Sequence, residues 1–317
     1  MLTIKKILFP TDFSRSANHA LVQALYLAER HNAVLHLFHV AGQYDDPNNP
    51  SYHFPTPEEM LRIVQNLATA ELANEYSLER LQQLLFIQRQ ERSIVAAPAI
   101  LEYASNNEID LIVMGTHGRR GLGHILLGSV AEEVVRLSPC PVLTMRERKD
   151  GDKVQPVRRI LVPVDFSGHA RQALAHAKEL ARMYAAELQV LHVIEEVMHP
   201  AFYVSGRTSI FEFMPEVEKD STKQIQHMLD EVMGPNLPAE IFLREGHPAQ
   251  EIVTFAENRK SDLIVIATHG LTGIEHFLLG SVTEKVVRLA LAPVFTVKGF
   301  GKSLVEGSFV DASNEFA

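Results

Sequence analysis

The chain is short of cysteine, of basic residues relative to acidic ones and of long apolar runs, and each shortage removes a class of protein. Its one cysteine, Cys140, excludes an intrachain disulfide and a cysteine-based zinc site. No apolar run reaches the roughly 18–20 residues that span a bilayer. The amino terminus, Met1 to Leu8, lacks the charged, apolar and small-residue regions of a secretory signal. A soluble, cytoplasmic protein with no membrane partner is therefore expected. Lys and Arg total 30 against 39 Asp and Glu, a formal net charge of −9. A nucleic-acid binder ordinarily needs a basic surface to displace phosphate counterions, so no nucleic-acid partner is expected. Fifteen histidines are present without HExxH or comparable ligand spacing, and no metal site is predicted.

The remaining composition, 46% hydrophobic and 22% charged over 317 residues, suits a globular protein with a sizeable core. Length alone allows two ordinary domains or one large one. An internal repeat decides between them. Residues 111–146 and 263–298 align without gaps at an offset of 152 and are identical at 21 of 36 positions. Ile7-Leu8-Phe9-Pro10-Thr11-Asp12-Phe13-Ser14 matches Ile160-Leu161-Val162-Pro163-Val164-Asp165-Phe166-Ser167 at an offset of 153. The polar stretch 148–157 contains Gly and Pro and has no apolar periodicity, as expected of a linker. The chain is expected to hold a duplicated domain, 1–147 and 158–298, followed by an irregular tail, 299–317, whose role is not legible.

Each half opens on a short apolar run ended by Pro10 or Pro163, which predicts a buried parallel strand. Ala17, Ala20, Leu21, Ala24 and Leu25 then recur at helical spacing, with Ser14, and Ser167 in the second half, as N-caps. Further strands are expected at 34–40, 86–92, 110–114 and 141–145, and at 188–193, 240–244, 262–266 and 293–297. Helices are expected near 57–82, 96–106, 130–137, 216–233, 248–259 and 282–289, with loops at 41–56 and 194–215. This alternation predicts two tandem, doubly wound α/β domains, each a five-stranded parallel sheet flanked by helices.

In such sheets ligands bind beyond the carboxyl ends of the strands, where the strand order reverses. After strand four the halves read Gly115-Thr-His-Gly118, nine residues, Gly128-Ser129, and Ala267-Thr-His-Gly270, nine residues, Gly280-Ser281. Glycines admit a close anion, and the N–H groups of a helix opening at Ser129 or Ser281 favour phosphate. The same residues, Ser129-Val-Ala-Glu132 and Ser281-Val-Thr-Glu284, also form capping boxes that merely start a helix. Asp12 and Asp165 can accept a hydrogen bond from an adenine amino group or a ribose hydroxyl, or cap the next helix. Gly299–Ser303 and Gly121-Leu122-Gly123 fail the spacing of a Walker loop and of a dinucleotide fingerprint.

On these residues the sequence resembles the universal stress protein (UspA) family in its tandem form, over 3–146 and 158–298. The family's ATP-binding members carry G-x2-G-x9-G-(S/T), which Gly115, Gly118, Gly128 and Ser129 meet, and which the second half meets except at Ala267. The resemblance implies a Rossmann-like domain of the adenine nucleotide alpha hydrolase type. It implies that Pro10, Thr11, Asp12 and the backbone of Val40 hold adenine or ribose. Gly115, His117, Gly118, Arg119, Gly128, Ser129 and Val130 would surround the phosphates. In the second half the equivalents are Pro163, Val164, Asp165, Val193, Ala267, His269, Gly270, Gly280, Ser281 and Val282. The implied ligand is ATP, or AMP or ADP, with Mg2+ possible. Ala267, and Leu271-Thr272 in place of Arg119-Arg120, predict a weaker second site or one for a less charged nucleotide. The family also implies pairing of the two halves through 141–145 and 293–297, and a homodimer beyond it. A regulatory, stress-response role is expected, with a slow ATPase or self-phosphorylating protein using Ser129, and a nucleotide-free scaffold, as alternatives.

Overall fold

The computed structural model describes residues 2–42, 83–116, 127–146, 156–195, 209–233, 238–270, 279–299 and 301–305, with Thr56, Glu58, Glu59, Arg62 and Asn66 between them. The expected helix at 57–82, apart from those few residues, and the linker 148–155 lie outside the described residues. The chain divides into two compact units, one of Thr3–Gln155 joined by Phe300–Leu304, the other built mainly from Pro156–Gly299.

In the first unit the order is β1 (Lys6–Pro10), α1 (Arg15–His31), β2 (Val34–Gly42), β3 (Phe86–Ser93), α2 (Ala96–Asn106), β4 (Leu111–Gly115), α3 (Ser129–Leu137) and β5 (Val142–Met145). The strands lie in the order β3-β2-β1-β4-β5, with every pair parallel. The second unit runs β6 (Arg159–Pro163), α4 (Gly168–Tyr184), β7 (Glu187–Glu195), α5 (Ile210–Phe213), α6 (Pro215–Met233), β8 (Ala239–Gly246), α7 (Pro248–Arg259), β9 (Leu263–Ala267), α8 (Ser281–Leu289) and β10 (Val294–Val297). Its order, β8-β7-β6-β9-β10, is the same and again parallel. Each sheet therefore reverses its order between the first and fourth strands, as the doubly wound expectation requires.

The apolar runs explain the centre of each sheet. Ile7, Leu8 and Phe9, with Leu111, Ile112 and Val113 beside them, are buried on both faces, whereas β3 alternates half-buried and exposed residues. Helix α1 lays Ala17, Ala20, Leu21, Ala24 and Leu25 into the core and starts where Ser14 Oγ accepts the Ala17 N–H at 3.2 Å. Ser167 does the same for Ala170 at 3.0 Å.

Three features depart from the sequence expectations. The fourth strand begins one residue later than Asp110, whose carboxylate turns back to accept the N–H groups of Lys5 and Lys6 at 2.7 and 2.8 Å. Asp262 accepts Arg158 and Arg159 N–H, both at 2.9 Å, in the same way. The expected loop 194–215 contains the short helix Ile210–Phe213, started by the Ser209 side chain. The start of the tail is ordered against the first unit. Thr3 N–H donates to Leu304 O at 2.9 Å, Lys302 N–H donates to Pro139 O at 2.9 Å, and Lys302 Nζ pairs with Asp110. Leu304 is 2% exposed, so burial of one leucine and satisfied backbone groups hold this strap. Among the described residues no helix is long and apolar enough to cross a membrane.

Candidate functional site

Strand pairing opens the site. In the first unit β1 pairs β4 only at Ile7↔Leu111 and Leu8↔Ile112, so the strands separate towards their carboxyl ends. In the second, Ile160↔Leu263 and Leu161↔Ile264 are the only pairs. On the other side, β1 pairs β2 as far as Pro10↔Phe38, and Thr11 N–H closes the ladder on Phe38 O at 2.9 Å. Backbone groups alternate sides along a strand, so those of Val40 point the same way as those of Phe38, past the end of β1. Val164 N–H closes on Leu191 O at 2.9 Å, which places the Val193 backbone likewise. Among the described residues, Val40 and Val193 thus have no strand opposite their N–H and C=O on that side.

The loop after the first strand carries the acids. Asp12 Oδ1 accepts the Ser14 N–H at 3.0 Å, and Asp165 Oδ1 accepts the Ser167 N–H at 3.1 Å and its hydroxyl at 2.6 Å. One oxygen of each carboxylate therefore shapes the turn that leads into the helix, while the cap itself is Ser14 or Ser167 rather than the aspartate. In the second unit the other oxygen, Asp165 Oδ2, faces Gly270, where a side chain would collide with it. The loops after β6 and β9 thereby meet.

Gly128 N–H donates to Thr116 O, and Gly280 N–H to Thr268 O, each at 2.8 Å. Gly128 and Gly280 are the N-caps of α3 and α8, and neither helix has a side-chain cap. The capping-box reading of Ser129 and Ser281 is thus corrected: each serine is the first helical residue, exposed, and its hydroxyl does not cap. Val130 and Val282, half-buried, follow in that first turn. A helix whose leading N–H groups lack a side-chain partner holds a partial positive charge ready for an anion.

Gly115 serves packing. A Cβ there would lie 2.6 Å from Ser16 O and 2.7 Å from Ser16 C, so the backbone of α1 requires the glycine. Ala267 stands in its place in the second unit, buried, with its carbonyl accepting the Thr283 hydroxyl at 2.6 Å. His269 is buried, 3.0 Å from Thr268 Oγ1, with its ring 5.9 Å from that of His169. Pro10 and Pro163 end their strands, with Thr11 and Val164 buried behind them. His117, Gly118 and Arg119 lie outside the described residues.

Two residue pairs escaped sequence reasoning. Phe13 and Phe166, next to the acids, have φ of 59° and 66°, left-handed values for bulky residues. His39 and His192 lie against them. The signal was available: both pairs recur at the offset of 153. Burial pushes the His192 imidazole below its usual pKa, against the opposing pull of the Val164 carbonyl and the Asp165 charge.

The class this defines is a tandem α/β protein with a strand-end, uncapped-helix site in each half. The chain belongs to the universal stress protein family, which matches residues 3–146 and 156–298. Universal stress protein MJ0531 of Methanocaldococcus jannaschii is 36% identical over 142 residues, 44% of this chain and 82% of that protein. Universal stress protein YxiE of Bacillus subtilis is 32% identical over 145 residues, 44% of this chain and 98% of that one. A universal stress protein from Archaeoglobus fulgidus shares the fold over 92% of this chain and 98% of its own, with a TM-score of 0.62 and 20% identity.

Proposed function

We propose that the protein binds an adenine nucleotide, ATP foremost, at the strand ends of each half, and that occupancy serves a regulatory stress response rather than metabolic turnover. The observation that supports this is that three complementary groups lie at or beyond the carboxyl ends of the strands in both units, where the first and fourth strands separate. A carboxylate on the first loop, Asp12 or Asp165, suits a ribose hydroxyl or an adenine amino group. The unladdered backbone of Val40 or Val193 offers the donor and acceptor that an adenine edge needs. The first turn of the helix at Ser129 or Ser281, which no N-cap side chain occupies, offers N–H groups to phosphate. In the second half Gly270 approaches Asp165, and Gly280 N–H donates to Thr268 O, which supports placing the acid and the helix start near one another. ATP would add its negative charge there, with Mg2+ as its counterion.

Acid extraction of freshly purified protein followed by chromatography tests the proposal, together with calorimetric titration of ATP. Co-purifying adenine nucleotide, or saturable ATP binding that weakens in Asp12→Asn, is the expected result. No nucleotide in the extract and no ATP heat would overturn it.

A further inference from the structure

In both halves a histidine near the end of the second strand reaches across to the loop that follows the first. His39 Nδ1 lies 2.8 Å from Thr11 O, and His192 Nδ1 lies 2.8 Å from Val164 O. A carbonyl oxygen only accepts, so Nδ1 carries the proton and donates. The same rings pack on the phenylalanine two residues further on, His39 on Phe13 at 4.9 Å between centroids and His192 on Phe166 at 4.4 Å, both inclined by 45°. Those phenylalanines hold left-handed backbone conformations, which bulky residues keep only when their surroundings over-determine them. Phe13 N–H is further held by Thr11 Oγ1 at 3.0 Å.

Each acid therefore sits between two anchored neighbours. Thr11 is held through its carbonyl and Phe13 through its ring, and Asp12 lies between them; Val164 and Phe166 bracket Asp165. The histidine doing the holding is also the residue before Val40 or Val193. One imidazole thus ties the strand that presents the unladdered backbone to the loop that presents the carboxylate. We infer that His39 and His192 are positioning residues that set the spacing between the two adenosine-binding points of each site. This inference rests on the nucleotide-binding proposal above and adds a determinant of its nucleoside half, separate from the phosphate half at Ser129 and Ser281.

The test uses the full chain and two probes, ATP and inorganic triphosphate, titrated calorimetrically into wild type, His39→Phe and His39→Asn. Phenylalanine keeps a ring without the donor, and asparagine places an amide N–H where Nδ1 stands. His39→Phe is expected to weaken ATP binding at the first site by about five- to tenfold, the worth of one hydrogen bond. Binding of inorganic triphosphate stays unchanged, and His39→Asn recovers most of the ATP affinity. Unchanged ATP binding in His39→Phe, an equal loss for both probes, or no recovery in His39→Asn overturns the positioning role while leaving nucleotide binding intact. If His39→Phe does not fold, His39→Gln, whose amide lies one bond further out, replaces it with the same expected deficit relative to His39→Asn. A wild type that binds neither ATP nor any other adenine nucleotide overturns both proposals together.

Discussion

Lowering the pH should loosen the second unit through one buried imidazole. His176 lies on α4 with no exposed surface, its Nδ1 2.8 Å from Gln172 O and its ring 6.2 Å from that of Phe295. Burial pushes its pKa from the usual 6.5 down to about 4, against the opposing effect of the Gln172 carbonyl. The unfolded chain then binds the proton more readily than the folded one between those two values. Stability is complete above about pH 6.5 and falls as pH drops towards 4. Integrating over that window, with one pKa unit worth about 1.4 kcal/mol, gives a loss of about 2 kcal/mol by pH 5 and about 3 kcal/mol by pH 4. Other buried histidines add to the wild-type slope: burial also lowers the His36 pKa, with Lys6 contributing, and that of His192. The quantity to measure is therefore the difference between wild type and His176→Gln, by urea unfolding across this pH range, with hydrogen exchange in α4 as the local probe. The stability advantage of wild type at pH 7 should shrink by about 2 kcal/mol at pH 5. Parallel pH profiles for the two proteins would refute the assignment.

Two further substitutions test particular packing claims. Gly115→Ala pushes a methyl group onto the Ser16 backbone and should cost about 1–3 kcal/mol of first-unit stability by thermal melting; an undisturbed melt would show that α1 can yield. Leu304→Ala removes the buried anchor of the strap, worth about 2–4 kcal/mol where the site cannot collapse. Ordering the strap costs backbone entropy of similar size, so its release is expected to limit the loss, with fast hydrogen exchange appearing at the Thr3 and Lys302 amides. Retained protection at both amides would show that the backbone hydrogen bonds hold the strap without Leu304.

The strand and helix alternation was legible because the signals were local. Ile7–Phe9 and Leu111–Val113 are apolar runs with no competing pattern, and the Ala and Leu spacing of α1 admits only a helix. What escaped was decided by partners distant in sequence. Nothing local to Asp110 tells that its carboxylate accepts the N–H groups of Lys5 and Lys6, more than a hundred residues away. Ser129-x-x-Glu132 satisfies a capping pattern, but the pattern does not say whether the serine or the glycine before it is the cap. Phe13 gives no warning of a left-handed backbone, since neither Gly nor Asn stands there, and the His39 ring packed against it comes from a strand distant in sequence. The strap depends on Leu304 finding Thr3, a contact no periodicity encodes.

The duplication turns the difference between the halves into a usable experiment. The second motif differs from the first at six positions over 115–130, among them Ala267 for Gly115 and Leu271-Thr272 for Arg119-Arg120. The glycine at 115 answers to the backbone of Ser16, a packing demand inside the first unit, whereas Ala267 is accommodated, buried, in the second. Ala267 therefore has little claim to weaken a ligand site, and the loss of two cations carries the expected asymmetry. A charge about 4 Å from a phosphate near the surface contributes from about 1 to about 4 kcal/mol, before the cost of desolvation. Leu271→Arg with Thr272→Arg should thus raise ATP affinity at the second site by about tenfold or more at low salt, an effect that shrinks as salt is added. Ala267→Gly should leave that affinity unchanged. If the glycine substitution raises affinity and the arginines do not, the motif position acts on the ligand directly, and the packing explanation of Gly115 fails with it.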